Sequence, residues 1–341
     1  MAQFPATETL SIRKNGTKTT RCRSGIPVRG NGILDIRPYR GRFAPSPTGE
    51  LHFGSLVAAV GSYLDARANG GEWIVRIEDV DTTRCHPEFE TSILRTLEAY
   101  GFEWDGPIVR QSERTAYYRE VFETLKREGF VYGCACTRKE IADSAIGTDG
   151  APVYPGTCRN GLAPGKKARA WRLKVPDMTI EYHDAIQGHQ FQNPGRDVGD
   201  FVLLRADGLF AYQLAVVADD IGQDVSHVVR GADLLASTPR QIWLYRCLKK
   251  DIPAYAHLPL AVNEAGEKLS KQTRARPVGT HDPVARLVEA MRFLNLHPEK
   301  TWHSLQDLWN WAIMNWSIGN VPKRQTTRSP DSTYQEKKHD R

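Results

Sequence analysis

Two short segments of this sequence combine residue types that could bind a triphosphate. The first, RFAPSPTGELHFGS, runs from Arg42 to Ser55 and places a Pro-containing loop after a short strand, with His52-x-Gly54 at the start of a helix. A helix N-terminus offers unpaired backbone N–H groups and partial positive charge, and Gly54 would let a nucleotide approach the backbone. His52 could then donate a hydrogen bond to a phosphate oxygen. Alone, His-x-Gly is more often an ordinary helix start, so the prediction needs support from elsewhere.

The second segment, EKLSK, follows Gly266 and carries two lysines, Lys268 and Lys271. Their ammonium groups could neutralise the negative charge that grows on an α-phosphate and on a leaving pyrophosphate. A charged run of this kind is usually a solvated turn. Both segments together, in this order on an alternating strand and helix pattern, predict adenylate-forming chemistry.

A cluster of cysteines suggests a metal site. Of six cysteines, three lie in one window, Cys134-x-Cys136 and Cys158, with Tyr154 four residues before the last. A cytosolic chain of this size rarely needs disulfides, and zinc prefers four tetrahedral ligands with a strong preference for thiolates. Three thiolates need one more donor, which Tyr154, His183 or His189 could supply. Three buried cysteines without a metal are the simpler alternative.

Composition indicates a globular protein that acts in the cytoplasm. Hydrophobic residues make up 40% and charged residues 25% of the 341 residues. No stretch approaches the roughly 20 apolar residues of a membrane helix, and we see no apolar signal-peptide core. Of 46 Lys+Arg and 40 Asp+Glu, residues 1–41 hold 8 and 2 and residues 321–341 hold 6 and 3, which leaves 32 and 35 for residues 42–320. This central part has a net charge of −3, so any RNA-binding surface must be a local basic patch.

The pattern of strands and helices predicts an α/β fold. A strand at Arg42–Ala44, a helix after Gly54 that stops at Gly70-Gly71 and a buried strand at Trp73–Ile77 form the start of a Rossmann-like, doubly wound parallel sheet. Helices are also predicted over 87–100, over 112–128 with Ser112 as N-cap, over 283–296 and over 304–316. Asp207-Gly208 predicts a hairpin between strands 201–205 and 209–214. Four tryptophans, at positions 302, 309, 311 and 316, are assigned to a helical core.

These signals predict six consecutive regions. We expect a flexible N-terminal extension (1–36), which could also be read as a transit peptide; the first half of the Rossmann-like catalytic domain (37–133); an inserted zinc-containing subdomain (134–200); the second half of the catalytic domain (201–255); the KLSK loop with a small C-terminal helical region (256–320); and a disordered tail (321–341).

Taken together, the motifs resemble those of a known enzyme family. Residues 42–55 resemble the HIGH signature, and residues 268–272 the KMSKS signature, of class I aminoacyl-tRNA synthetases of the glutamyl/glutaminyl group. Segments 76–81, 212–217 and 228–233 are also similar to that group, so the resemblance spans about residues 37–320. Ser55 and Gln272 depart from the two signatures, which shifts charge stabilisation onto His52 and Lys271.

The resemblance implies roles for individual residues. His52, Lys268 and Lys271 would be catalytic, and ATP, accompanied by Mg²⁺, would contact His52, Gly54, Ser55 and Lys271. One structural zinc ion would be bound by Cys134, Cys136, Tyr154 and Cys158. The glutamate pocket would be lined by Arg42, Phe43, Ala44, Pro45, Ser46, Glu78, Tyr212 and Arg230. An arginine suits a carboxylate through paired hydrogen bonds, and Glu78 suits the substrate ammonium.

The nature of the acceptor is inferred from the length of chain beyond Lys271. The predicted ordered sequence extends about fifty residues past this lysine, too few for an anticodon-binding domain. Within the group, the sequence is most similar to paralogues that lack this domain and attach glutamate to the queuosine base of tRNA(Asp). We therefore expect a monomeric ligase whose partners are glutamate, ATP and queuosine-containing tRNA(Asp), with no membrane partner. A truncated glutamyl- or glutaminyl-tRNA synthetase and a non-catalytic synthetase-like RNA-binding module are the alternatives.

Overall fold

The computed structural model describes residues 37–142, 144–147, 150–263, 266, 268, 276–299 and 301–329. The predicted extension at 1–36 lies outside these residues, as do Lys271 and Gln272 of the second motif. The strands of the described part are β1 (Arg40–Phe43), β2 (Glu72–Ile77), β3 (Val109–Arg110), β4 (Val131–Cys134), β5 (Ala170–Leu173), β6 (Ile180–Asp184), β7 (Gly188–Gln192), β8 (Val202–Leu204), β9 (His227–Gly231), β10 (Ala254–Leu258), β11 (Leu260–Val262) and β12 (Thr326–Arg328).

Helices alternate with these strands along most of the chain. The α-helices of the described part are α1 (Phe53–Ala68), α2 (Pro87–Ala99), α3 (Thr115–Arg127), α4 (Arg138–Ile141), α5 (Pro194–Asp197), α6 (Tyr212–Gly222), α7 (Thr238–Cys247), α8 (Pro283–Phe293) and α9 (Leu305–Asn315). Three short 3₁₀ turns cover Gln111–Arg114, Ala232–Ser237 and Ile318–Asn320. None of the helices in the described ranges is both long enough and apolar enough to cross a membrane.

Parallel strands from two halves of the chain meet in the centre of the molecule. Strands β1, β2 and β3 are parallel neighbours in that order, and β9 and β6 flank β10, both parallel to it. The start of β1 lies beside the residue that precedes β9, since Ser226 donates its backbone N–H to the carbonyl of Arg40 (3.0 Å). The chain therefore winds outward in both directions from the β1–β9 junction, which confirms the predicted parallel sheet with helices. In such folds, ligands bind at the carboxyl ends of the strands where the strand order reverses. Here this point, the switch point, is the β1–β9 junction.

The main core forms where α1 crosses the strands and meets the two last helices. Leu56, Val60 and Leu64, which recur at helical spacing, are completely buried on α1. Trp73 of β2 is also fully buried and donates its indole N–H to Ser62 on α1 (3.0 Å). Trp309 on α9 packs against Tyr63 with ring centroids 4.8 Å apart. The assignment of the four C-terminal tryptophans to the core is confirmed, with Trp302 and Trp309 buried and Trp311 and Trp316 partly buried beside them.

The predicted hairpin at Asp207-Gly208 is only partly correct. The turn is present, but its second strand is reduced to a single bridge between Leu204 and Phe210. The helix α6 begins at Tyr212, so the prediction of a strand over 209–214 is wrong for its last three residues. Five of the six residues over 209–214 are apolar, which fits either a strand or the start of a buried helix, and the apolar residues that come after them extend the helix.

Two other local predictions also differ from the structure. Ser112 does not cap α3, because it lies in a 3₁₀ turn where its backbone N–H and its hydroxyl donate to the carboxylate of Asp79 (2.8 and 2.6 Å). The disordered tail predicted for 321–341 is wrong for residues 326–328, which form β12 and pair in parallel with β11. The strand is held by backbone hydrogen bonds to β11, and no sequence pattern in this polar segment predicts that pairing.

The segment predicted as an insertion, residues 134–200, contributes to two sheets. Strand β5 lies between β4 and β8 in an antiparallel sheet. The β6–β7 hairpin instead extends the sheet of β9 and β10, because β6 pairs with β10. Part of the segment is thus continuous with the central sheet.

We predict that Gly71→Ala destabilises the fold at the entry to β2. A methyl group here would overlap the carbonyl oxygen of Tyr39, which accepts the backbone N–H of Glu72. The backbone must shift to make room for the methyl group. This shift should reduce the free energy of unfolding by about 1–3 kcal/mol, measured by urea denaturation. As a control, Gly70→Asn should be tolerated, because Gly70 has a φ of +65° with open space around its Cβ position, and asparagine accepts this conformation readily. Equal losses in the two variants would contradict the prediction.

Candidate active site

A cavity of about 350 Å³ lies at the switch point, bounded by the ends of β1, β9 and β10 and by the start of α1. It is lined by the described residues that the sequence analysis assigned to substrate binding or catalysis: Arg42, Phe43, Ala44, Pro45, Ser46, His52, Gly54, Ser55, Glu78, Tyr212, Arg230 and Lys268. The structure therefore brings together residues from both motifs and from both halves of the chain.

His52 occupies the N-cap position of α1. Its backbone is extended (φ −102°, ψ 171°), and its Nδ1 accepts the backbone N–H of Ser55 (3.3 Å). The carbonyl of His52 accepts the first helical hydrogen bond, from Leu56 (3.0 Å). The first N–H groups of a helix have no partner within it; His52 caps that of Ser55, and the cavity wall at Gly54 is suited to a negatively charged group.

The second motif meets the first through its flanking residues. Lys268 pairs in a β-bridge with Val262 at the end of β11, and its Nζ lies 2.6 Å from Oδ2 of Asp233. On the other side of the loop, Pro277 forms a bridge with His52, and Val278 donates its N–H to the carbonyl of Leu51 (2.9 Å). Both flanks of the KLSK segment are therefore held beside the cavity, although Lys271 itself lies outside the described residues.

Beneath the cavity, Arg76 is completely buried among carboxylates. Its guanidinium lies 2.7 Å from Asp220, 3.4 Å from Glu78 and 3.8 Å from Asp219. Burial would lower the pKa of Arg76, but the three carboxylates outweigh this effect and raise it above its usual value. Burial would likewise raise the pKa of Asp220, but the Arg42 and Arg76 guanidinium groups hold it below its usual range. Both groups are therefore charged in the folded protein.

Asp219 extends the same network toward α3. One carboxylate oxygen accepts from Nε of Arg114 (2.6 Å), and the other accepts from Gln111 (2.9 Å) and from the Tyr118 hydroxyl (2.7 Å). The network contains three arginines and three carboxylates, so its formal charges balance. Its members are Arg42, Arg76, Arg114, Glu78, Asp219 and Asp220. Unpaired buried charges are very costly, whereas such mutual pairing makes burial tolerable.

The network sets how Arg42 and Glu78 face the cavity. Arg42 donates to Asp220 only through Nε (3.3 Å), and its two terminal nitrogens have no hydrogen-bonding partner in the described part of the chain. Glu78 is held from below by Arg76 alone (3.4 Å). Burial raises the pKa of Glu78 above its usual value, although Arg76 and Arg42 oppose this. Because Arg76 is shared with Asp219 and Asp220, Glu78 can accept further hydrogen bonds from a bound cation.

Arg230, at the end of β9, differs from the other buried arginines. Its side chain donates to three uncharged acceptors: Nε2 of His257 (3.1 Å), the hydroxyl of Thr238 (2.9 Å) and the carbonyl of Leu234 (3.4 Å). No carboxylate of the described residues pairs with it, and its Nη1 has no partner there. A buried guanidinium without a counter-charge beside a cavity favours an anionic ligand.

Away from the cavity, the structure gathers the three clustered cysteines around a phenol. The sulfur atoms of Cys134, Cys136 and Cys158 lie within 4.8 Å of one another. The hydroxyl of Tyr154 lies 3.4 Å from Sγ of Cys134 and 3.6 Å from Sγ of Cys136. His183 and His189, the other donors considered, instead face each other across the β6–β7 hairpin.

Sequence reasoning missed several residues that shape the site. Asp219 and Asp220 lie on α6 within an apolar run, and two adjacent acids in such a context are a recognisable signal for buried basic partners. Asp233 and His257 carried no such signal, because each is a single polar residue among ordinary strand and turn residues.

Comparison with known proteins gives consistent results. Residues 39–286 match the profile of the family described as "tRNA synthetases class I (E and Q), catalytic domain". The chain is 59% identical over 297 residues to the glutamyl-Q tRNA(Asp) synthetase of Dechloromonas aromatica, which covers 86% of this chain and 99% of that protein. It is 56% identical over 285 residues to the protein of the same name from Chromobacterium violaceum, covering 83% and 95%.

A solved structure shows the same architecture. The glutamate-tRNA synthetase from Elizabethkingia anophelis superposes with a TM-score of 0.73 at 28% identity. The alignment covers 87% of this chain and 69% of that one.

We predict that Asp220→Asn strongly destabilises the protein, because it removes one charge from a fully buried network and leaves Arg76 and Arg42 undercompensated. The free energy of unfolding, measured in urea, should fall by about 3–5 kcal/mol. The matched control is Asp177→Asn, which removes the carboxylate of an exposed pair with Arg196 and should cause a much smaller loss. Similar losses in the two variants would show that the buried network does not support the fold.

Proposed function

The chain belongs to the glutamyl-Q tRNA(Asp) synthetases, a branch of the class I glutamate and glutamine tRNA synthetases, and from this membership we propose its reaction. It activates L-glutamate with ATP, without help from tRNA, to give glutamyl-adenylate and pyrophosphate. It then transfers the glutamyl group to the queuosine base in the anticodon of tRNA(Asp).

The charge pattern of the cavity is the observation that carries the amino-acid assignment. Two lining guanidinium groups, Arg42 and Arg230, have donors without partners among the described residues, and one lining carboxylate, Glu78, is incompletely paired. L-glutamate carries two carboxylates and one ammonium group, the complement of this set. An arginine binds a carboxylate through charge-assisted hydrogen bonds, and a neutral amide would leave part of that positive charge uncompensated.

The first motif supports the assignment of ATP to the neighbouring part of the cavity. Phosphates would lie at the start of α1, against Gly54, Ser55 and the ring of His52. Bound Mg²⁺ supplies further neutralisation of phosphate charge. The glutamate α-carboxylate attacks the α-phosphate in line, so these residues act by positioning and by electrostatic stabilisation.

Lys268 approaches the same region, paired with Asp233 at the cavity edge. Lys271, three residues further along, would add its positive charge as pyrophosphate leaves. The short loop thus supplies the cations for the departing group, while α1 supplies the backbone N–H groups.

A single structural zinc ion would be bound by Cys134, Cys136, Tyr154 and Cys158. Zinc–thiolate bonds of about 2.3 Å in a tetrahedron put neighbouring sulfur atoms about 3.8 Å apart. The observed separation between Sγ of Cys136 and Sγ of Cys158 is 3.6 Å, which fits this requirement. With four protein ligands, the ion would crosslink this region and would take no part in catalysis.

The decisive test of function separates activation from transfer. The purified protein should catalyse glutamate-dependent ATP–pyrophosphate exchange without tRNA, and glutamine should not replace glutamate. With radiolabelled glutamate, it should charge queuosine-containing tRNA(Asp) and leave tRNA(Asp) without queuosine uncharged. Lys271→Ala provides the inactive control, with exchange reduced by about a hundredfold or more.

Each alternative function predicts a different outcome. An ordinary glutamyl- or glutaminyl-tRNA synthetase would charge tRNA(Glu) or tRNA(Gln) and would ignore queuosine. A non-catalytic RNA-binding module would show no exchange above the level of Lys271→Ala.

We predict that the wild-type protein carries one zinc ion per chain and that Cys158→Ser loses it, because a serine hydroxyl is a poor zinc ligand at neutral pH. Zinc content after extensive dialysis would be measured by mass spectrometry. Cys247→Ser is the control, since this buried cysteine on α7 lies outside the cluster and its loss should leave the zinc content unchanged. Tyr154→Phe should weaken zinc retention if the phenol is the fourth ligand. Equal zinc in the Cys158 and Cys247 variants would exclude the site.

A further inference from the structure

A line of hydrogen bonds leads from the β6–β7 turn to the cavity arginine. Asp184 at the end of β6 contacts Nδ1 of His257 through Oδ2 (2.5 Å), and Nε2 of His257 contacts Nε of Arg230 (3.1 Å). His257 and Arg230 are register partners on the adjacent parallel strands β10 and β9. All three side chains are almost fully buried, with exposed fractions of 0%, 0% and 5%.

The surroundings of Asp184 fix the protonation state of His257. Oδ1 of Asp184 accepts the backbone N–H groups of Ile186, Gln187 and His257, and Oδ2 is left for the imidazole. A carboxylate can only accept, so Nδ1 of His257 must carry a proton and donate it. Burial would raise the pKa of Asp184, but the hydrogen bond from His257 helps to hold it below its usual value.

The other ring nitrogen of His257 must then be a bare acceptor. Nε of Arg230 always carries a hydrogen, so Nε2 of His257 can pair with it only when the ring is neutral. Burial lowers the pKa of His257 to about 4, and the Arg230 charge adds to this effect, although the hydrogen bond to Asp184 opposes it. The imidazole is therefore neutral near pH 7 and offers its lone pair to the guanidinium.

Two nitrogens of Arg230 are thereby held. Nε is bound by His257, and one terminal nitrogen is bound by the Thr238 hydroxyl (2.9 Å), which itself lies 3.1 Å from Nε2 of His257. Without the imidazole acceptor, Nε would become a second buried donor with no partner, beside the unpaired Nη1. The guanidinium would then rotate or draw in water to satisfy it.

We infer that His257, held in one tautomer by Asp184, is a positioning residue that fixes the orientation of Arg230 for binding the substrate carboxylate. This inference rests on the proposed function, because it assigns glutamate as the ligand of Arg230. It adds a residue outside both sequence motifs to the set that determines amino-acid binding.

Two substitutions of His257 separate its two hydrogen bonds. His257→Asn keeps a donor near the Nδ1 position for Asp184 but removes the acceptor for Arg230. His257→Gln places an amide oxygen near the Nε2 position and so keeps the acceptor. We expect His257→Asn to raise the KM for glutamate about tenfold or more in pyrophosphate exchange, while the KM for ATP changes by less than about twofold. His257→Gln should recover most of the glutamate KM.

His183→Asn serves as the matched control, because His183 is exposed and lies on β6 next to Asp184. It should leave both KM values unchanged. Thermal unfolding of each variant checks that the fold is retained. An unchanged glutamate KM in His257→Asn, or equal rises in the KM values of both substrates, would overturn the inference.

A double-mutant cycle with Arg230→Lys distinguishes positioning from a general structural effect. Lysine has no nitrogen at the Nε position, so His257 would have nothing to orient, and adding His257→Asn should not raise the glutamate KM further. Multiplicative effects of the two substitutions would show that His257 acts independently of Arg230. If the wild-type protein neither binds glutamate in calorimetry nor catalyses exchange, the proposed function itself is wrong. A normal wild-type enzyme with an unaffected His257→Asn variant would refute only the positioning role.

Discussion

The buried pairing of Asp219 and Asp220 with Arg42, Arg76 and Arg114 is the constraint on which the site depends. It joins β1, β2 and α6 to the segment before α3, four pieces of chain that are far apart in sequence. Separating these pieces would leave buried charges without partners, which is strongly unfavourable. The same pairing leaves the outer face of Arg42 available to the cavity and holds Glu78 from beneath. The interactions that hold these pieces together therefore also set the position of two side chains that line the cavity.

The two halves of the cavity have different electrostatic character. On the β1 and β2 side, every arginine has a carboxylate nearby, and the local charge is close to zero. On the β9 and β10 side, Arg230 is surrounded by neutral acceptors and keeps its full charge for a ligand. Under the proposed function, this asymmetry would orient glutamate, whose two ends differ in charge. The neutral His257 next to Arg230 is part of the same arrangement, because a carboxylate in its place would cancel the attraction of Arg230 for an anion.

The strands and helices that the sequence predicts well are those determined by residues close together in the chain. The strand and helix around His52, the strand at Trp73–Ile77 and the C-terminal helices each follow from periodicity and turn residues within about fifteen positions. The parts that sequence missed depend on partners remote in the chain. Asp220 meets Arg42 across 178 positions, and His257 meets Asp184 across 73, and no local pattern specifies such pairs. The start of α6 at Tyr212 differs from the prediction for a related reason, because the five apolar residues within 209–214 fit both a strand and a helix until their tertiary partners are known.

The pairing of β12 with β11 has a mechanical consequence. Strand β11 ends at Val262, which bridges to Lys268, and the same residue accepts a hydrogen bond from Ser329 (2.8 Å). Strand β11 is thus tied to β12 along one edge and to Lys268 at its end. A displacement of residues 326–329 would therefore reach Lys268, at the edge of the cavity, through β11.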